Sequence, residues 1–134
     1  MIDPIGQDET LRFLSASMDL LAARHSLLAG NIANVDTPGY RAMDLDFGRE
    51  LEVAFRRQRS LEGVPGEGAS LSYRAVLRPR IVEVSGTTVK PDGNNVDIDR
   101  ELGQLSRTTA MFQQAISFMS VKLRMLKAAI REGA

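Results

Sequence analysis

The sequence predicts a mainly α protein with a small β part: two long N- and C-terminal helices forming an antiparallel coiled-coil hairpin, joined by an irregular β-containing middle segment. Two observations predict the helices, namely apolar residues at alternating three- and four-residue spacing over residues 8–34 and again over 97–131. A third predicts the pairing. The first helix starts acidic at Asp8 and Glu9, and the second ends basic at Lys122, Arg124, Lys127 and Arg131. Only an antiparallel arrangement brings these ends together, although an exposed ion pair contributes only about 0–1 kcal/mol. The chain divides accordingly into 1–40, 41–96 and 97–134.

In the first helix Asp8 is the expected cap and Glu9 suits the positive end of the macrodipole. Its expected seam is Leu11, Leu14, Met18, Leu21, His25, Leu28, Ile32 and Val35. Thr37-Pro38-Gly39-Tyr40 then suits a type II turn, with Pro setting φ at the second position and Gly taking positive φ at the third. Residues 44–59 read as a short helix with Phe47, Leu51 and Phe55 on one face. Residues 60–70, rich in Gly and Pro, read as a loop. Leu71, Tyr73, Ala75 and Leu77 alternate with polar residues as in a half-exposed strand. Ile81–Val84 is a second candidate strand and Thr87–Lys90 a weak third. Pro91 to Asn95 is turn chemistry. Asp97 is the expected cap of the last helix, whose expected seam is Ile98, Leu102, Leu105, Thr109, Phe112, Ile116, Met119, Leu123, Leu126 and Ile130.

Each long helix carries a second stripe on roughly the opposite side. On the first it is Phe13, Ala16, Leu20, Ala23, Leu27 and Gly30. On the second it is Met111, Gln114, Phe118, Val121, Met125 and Ala128. A helix that is apolar on two opposite sides needs two partners, and the chain has no further long helix to supply the second. The expectation is that these stripes meet other subunits, because an exposed apolar stripe in water is an association hazard; the alternative is an ordinary bundle in which the middle segment folds back as cover. A monomeric adaptor or export chaperone that binds a partner helix through its coiled coil is the competing reading.

Chemistry is scarce. Seventeen basic residues balance seventeen acidic ones, so no global field favours nucleic acid. The absence of Cys excludes disulfides and thiolate metal sites. The single His25, on the expected seam, suits a buried or interface role better than catalysis. No phosphate-binding loop, nucleophile elbow or zinc motif is present. Asn95-x-Asp97-x-Asp99 resembles the opening of a calcium loop, but Arg100 and Ser106 stand where Gly and Glu are needed, so helix capping explains these acids. No apolar run is long enough to span a bilayer, so no direct membrane insertion is expected. The acidic start lacks the basic region of a signal peptide. No catalytic residue, metal or cofactor is expected.

The stretch Leu28-Ala-Gly-Asn-Ile-Ala-Asn-Val-Asp-Thr-Pro-Gly-Tyr40 closely resembles the N-terminal signature of bacterial flagellar rod and hook axial proteins. Gly93 to Glu101 is similar to the segment that introduces the last helix in the short proximal-rod members, and the chain has no room for a large inserted domain. Gly30 departs from the family, which often carries a larger polar residue there. The resemblance implies a structural subunit of the proximal rod, polymerising through its terminal helices to build the drive shaft and the wall of the export channel. It implies as partners other copies of the chain, neighbouring rod and basal-body proteins and the flagellar type III export apparatus. It also implies a place in the periplasm-spanning rod, reached without a cleaved signal peptide. The expected assembly residues are Phe13, Leu20, Leu27, Asn31, Asn34, Thr37, Pro38, Gly39, Tyr40, Met111, Phe118, Val121 and Met125. Asn31 to Tyr40 also read as a helix stop with local bonds. Phe47 and Leu51 resemble an export-recognition element, although a packed helix face explains so short a pattern better.

Overall fold

The computed structural model describes residues 8–60 and 78–133. Helix α1 spans Glu9–Ala33. It starts where the Asp8 carboxylate accepts the Leu11 amide at 3.0 Å, and Pro is absent from its interior. Strand β1 is Met43–Leu45, helix α2 is Phe47–Ser60, and strand β2 is Ile81–Glu83. The last helix, α3, spans Ile98–Glu132 and is about 50 Å long at the ordinary helical rise. Asp97 caps it by accepting the Asp99 and Arg100 amides at 3.1 and 3.2 Å. Capping therefore accounts for Asp97, as the sequence suggested.

The long helices pack antiparallel. Asn31 meets Glu101, Arg24 meets Gln104, and Asp8 meets Lys122 at 3.1 Å. The last contact joins the acidic start to the basic end, which is the arrangement that the charge pattern predicts. Burial pushes the Asp8 carboxyl up. The Leu11 amide and the Lys122 ammonium outweigh that and hold it below its ordinary value.

The core sits between α1 and its two helical neighbours. Leu11, Leu14, Ala16, Leu20, Leu21 and Leu28 are buried along α1. Each fully buried leucine contributes roughly 1.5–3 kcal/mol. Helix α2 lies against α1, with Ala54 buried and the Phe55 ring edge-on to Phe13 at 6.0 Å. The expected second stripe of α1 is thus largely covered within the chain. Ala16 and Leu20 are core, and Phe13, Ala23, Leu27 and Gly30 are half-buried. The short middle helix that the sequence indicated supplies the cover, so α1 needs no second subunit to hide this side.

On α3 the row turned inward differs from the expected seam. The buried and half-buried series is Glu101, Leu105, Thr108, Phe112, Ala115, Met119, Lys122 and Leu126. Its spacing still alternates four and three, but its fully buried members are Glu101, Thr108 and Ala115. Of these Glu101 bonds across the seam to Asn31, and Thr108 and Ala115 are small. The more apolar Ile98, Leu102, Ile116, Leu123 and Ile130 are left exposed. His25 is likewise exposed and not buried.

The middle segment contributes a two-stranded antiparallel sheet in which Met43 faces Glu83 and Leu45 faces Ile81. Thr87–Lys90 is not a strand. Its last amide turns back to the Asn94 carbonyl at 2.8 Å, so the backbone closes a turn. The expected loop beyond Ser60 and the expected strand Leu71–Leu77 lie outside the described residues.

Two stability outcomes follow from the helix seam. The buried Thr108 hydroxyl has no hydrogen-bond partner, so Thr108→Val should raise stability by about 1 kcal/mol in urea unfolding. The depressed Asp8 carboxyl contributes stability that is present above its unfolded value of 3.8 and is lost as pH falls through the folded one. Asp8→Asn should therefore be less stable than the parent near neutral pH and match it well below that value, as read by thermal unfolding across pH.

Candidate assembly site

The chain leaves α1 through a compact knot of asparagines and glycines. The Thr37 amide donates to the Asn34 carbonyl, and Tyr40 donates to Thr37 at 3.2 Å, closing the turn around Pro38-Gly39. Gly39 has φ +72°, as the third position of a type II turn requires. Its amide donates to the Asp92 carbonyl at 2.9 Å. Gly93, at φ +87°, lies against it so closely that a Cβ there would sit 3.4 Å from Gly39 Cα. Two distant turns therefore touch backbone to backbone.

Asn31 sits wholly buried beneath this knot. Its amide nitrogen donates to the Met43 carbonyl and to Glu101 Oε2, both at 2.8 Å. Its oxygen accepts the Met43 amide at 3.0 Å and the Tyr40 hydroxyl at 3.3 Å. Both donors and both lone pairs are thus used inside the chain. Asn34 donates to the Gly30 carbonyl and accepts the Thr37 hydroxyl. The carbonyls freed at the end of α1 are met from far along the sequence. Lys90 Nζ donates to Val35, and Asn94 Nδ2 to both Asn34 and Thr37. Asn95 takes the Ala42 amide at 2.6 Å and donates to the Val84 carbonyl at 3.1 Å. Ala42, Val84 and Val96 form a small second core here, with Val35 and the Tyr40 ring packed on it. Beside the knot Arg24 grips Asp44 bidentately, at 3.0 and 2.9 Å, with both side chains mostly buried.

Of the expected assembly residues, Asn31 has no bonding capacity left for a neighbour and Leu20 is in the core. Asn34 and Tyr40 are half-buried with internal bonds, while Thr37, Pro38 and Gly39 lie exposed on the rim. A Cβ at Gly30 would meet only the Tyr40 hydroxyl, at an ordinary 3.9 Å, so a larger residue fits. Asn94, Asn95, Lys90 and Glu101 are members of the knot that sequence reasoning missed. Their composition signals a turn and a helix start, and their partners lie too far away in sequence for a local pattern to show.

On α3, Phe118, Val121 and Met125 are 56, 45 and 63% exposed, with Met111 half-buried at the head of the same row. A second bare row, Leu102, Ile116, Leu123 and Ile130, runs on the other flank of the seam, about a quarter turn from it. These rows are the most apolar part of α3, and nothing among the described residues covers them. Phe47 and Leu51 share the half-buried face of α2. A groove of about 350 Å³ between α1 and α3 is lined by Leu21, Ala22, His25, Thr108, Thr109, Phe112 and Gln113, with no acidic residue. Among the described residues no acid or imidazole cluster could hold a metal ion. None of the described helices is long and apolar enough to cross a membrane. The chemistry on offer is surface burial.

No protein-family model matches the chain. It is 32% identical to the flagellar basal body rod protein FlgB of Escherichia coli K12, over 99% of both chains. It is 35% identical to FlgB of Salmonella typhimurium, over 87% of this chain and 89% of that one. With FlgB of Borrelia hermsii it shares 34% identity over 79% of this chain and 87% of that one.

Removing the Asn31 hub strands several buried groups at once. Asn31→Ala should lower stability by about 2–4 kcal/mol in urea unfolding. Thr37→Ala, which removes one exposed bond, should cost less than about 1 kcal/mol.

Proposed function

The chain belongs to the FlgB family of flagellar basal body rod proteins, and on that premise we propose that it polymerises through its terminal helices into the proximal rod. As a member of that family it is a structural component of the flagellar basal body, associated with other rod and basal-body components, and not an enzyme. In the proposed assembly α3 lines the inner tube, its outward rows meet neighbouring copies and other rod proteins, and the tube serves as drive shaft and as export-channel wall. The subunit reaches this periplasm-spanning position through the flagellar type III export apparatus. Phe47 and Leu51 on α2 are the export-recognition candidates.

The observation that carries this reading is the inverted use of α3. Its fully buried positions are Glu101, Thr108 and Ala115, while Phe118, Val121, Met125, Ile116 and Leu123 stand in water. A monomer gains nothing from that exposure, whereas a subunit that must bury two flanks against neighbours requires it. A monomeric adaptor would need one bare face, not two, and no observation favours it.

Phe118→Asp and Met125→Asp should leave the subunit folded and exported, because both side chains are more than half exposed. Each should abolish rod assembly and swimming. Normal motility with either change would refute the proposal. Leu20→Asp cannot serve as this test, because Leu20 is 1% exposed and a charge there would unfold the chain.

A further inference from the structure

We propose that copies of this chain associate head to tail, the basic free end of α3 in one copy docking on the acidic knot of the next. The proposal rests on the polymerising reading above and adds the surface, the partner and the direction. Lys122 holds Asp8 at the start of α1, so residues 123–132 of α3 run past that point by about 15 Å. On this overhang Leu123 and Ile130 are exposed, and a shallow groove is lined by Leu123, Lys127, Ile130 and Arg131. The row that faces α1 elsewhere continues here through Leu126 with α1 no longer beside it. Arg124, Lys127 and Arg131 are exposed against one acid, Glu132, and form no ion pair among the described residues.

The other end of the helix pair has the opposite character. Asp36, Asp92, Asp97 and Asp99 are exposed at the knot, beside the exposed Ile98 and Leu102. The cations nearby are Arg100, Arg41 and Lys90. Arg41 is held by Glu83, and Lys90 bonds the Val35 carbonyl. The two ends are separated by the length of α3 and cannot meet within one chain. Between copies they fit: apolar residues meet apolar residues, and basic meets acidic. Like ends repel, so end-to-end pairs of the same kind are disfavoured. A heterologous contact of this kind is not used up by pairing, and where its rotation does not close a ring it generates an open series.

The test uses the purified full-length chain at low ionic strength, followed by sedimentation velocity over a range of concentration. The parent should form an open series of growing oligomers that salt weakens. Lys127→Glu/Arg131→Glu, with two acidic ends, and Asp36→Lys/Asp99→Lys, with two basic ends, should each associate about tenfold more weakly. Mixing the two variants should restore the series, which also excludes misfolding as the cause of the loss. The proposal is overturned by a closed dimer at every concentration, by a parent that stays monomeric, by variants that associate like the parent, or by a mixture no better than its components. Motility separates its failure from that of the rod reading. If Phe118→Asp blocks swimming while both charge-reversal strains swim, only the end contact falls. If all three swim, both readings fall.

Discussion

Asn31 commits its whole hydrogen-bonding capacity to four bonds with three residues on three different parts of the chain. It fastens α1 to the backbone of β1 through Met43, to α3 through Glu101, and to the outgoing turn through Tyr40. Because it is fully buried, each of those bonds replaces water that cannot enter, and loss of any one leaves an orphaned polar group. The surrounding features serve this arrangement. Gly39 and Gly93 let the two turns close over it, Asn94 supplies the donor that the carbonyls after α1 lack, and Asn95 ties the Ala42 amide to the Val84 carbonyl. The register of the hairpin is set here and again at Asp8–Lys122, the far end of α1.

With register fixed by polar contacts, the seam along α3 buries no large apolar residue completely. Glu101 bonds across it, Thr108 and Ala115 are small, and Leu105, Phe112, Met119 and Leu126 are half-buried beside them, while the other bulky side chains of α3 face outward. On α1 the equivalent surplus is absorbed by α2. The two long helices therefore differ in role: α1 is enclosed on two sides by its own chain, and α3 is enclosed on one.

The helices, their antiparallel pairing and the turn at Thr37–Tyr40 were legible because each rests on a short-range rule: heptad spacing, end charges, and the φ demands of Pro and Gly. The face that α3 turns inward was not. A reading that ranks rows by hydrophobicity selects Leu102, Ile116 and Leu123, which in a chain built to associate are the residues withheld from the internal seam. The cover over Leu20 stood only as the alternative for a related reason, since α2 is legible as a helix without any sign of which surface it buries. The three-residue β1 is too short for alternation to register. The knot escaped because the bonds that close it join residues more than fifty positions apart, as between Asn94 and Thr37 or Asn95 and Ala42.

The backbone contact between Gly39 and Gly93 brings the two ends of the intervening segment to one doorway, with Gly39 N and Asp92 O 2.9 Å apart. Chain that leaves and re-enters through a pinned gap is thermodynamically cheap to lengthen, since each doubling of a flexible loop costs only about 0.6 kcal/mol. The helix pair, the knot, β1 and α2 thus act as a fixed chassis, because Met43 and Asp44 bond α1 and Ala54 is buried where α2 lies against it. Chain added elsewhere between the two glycines can alter the exterior of an assembly without disturbing the helical framework that holds it together.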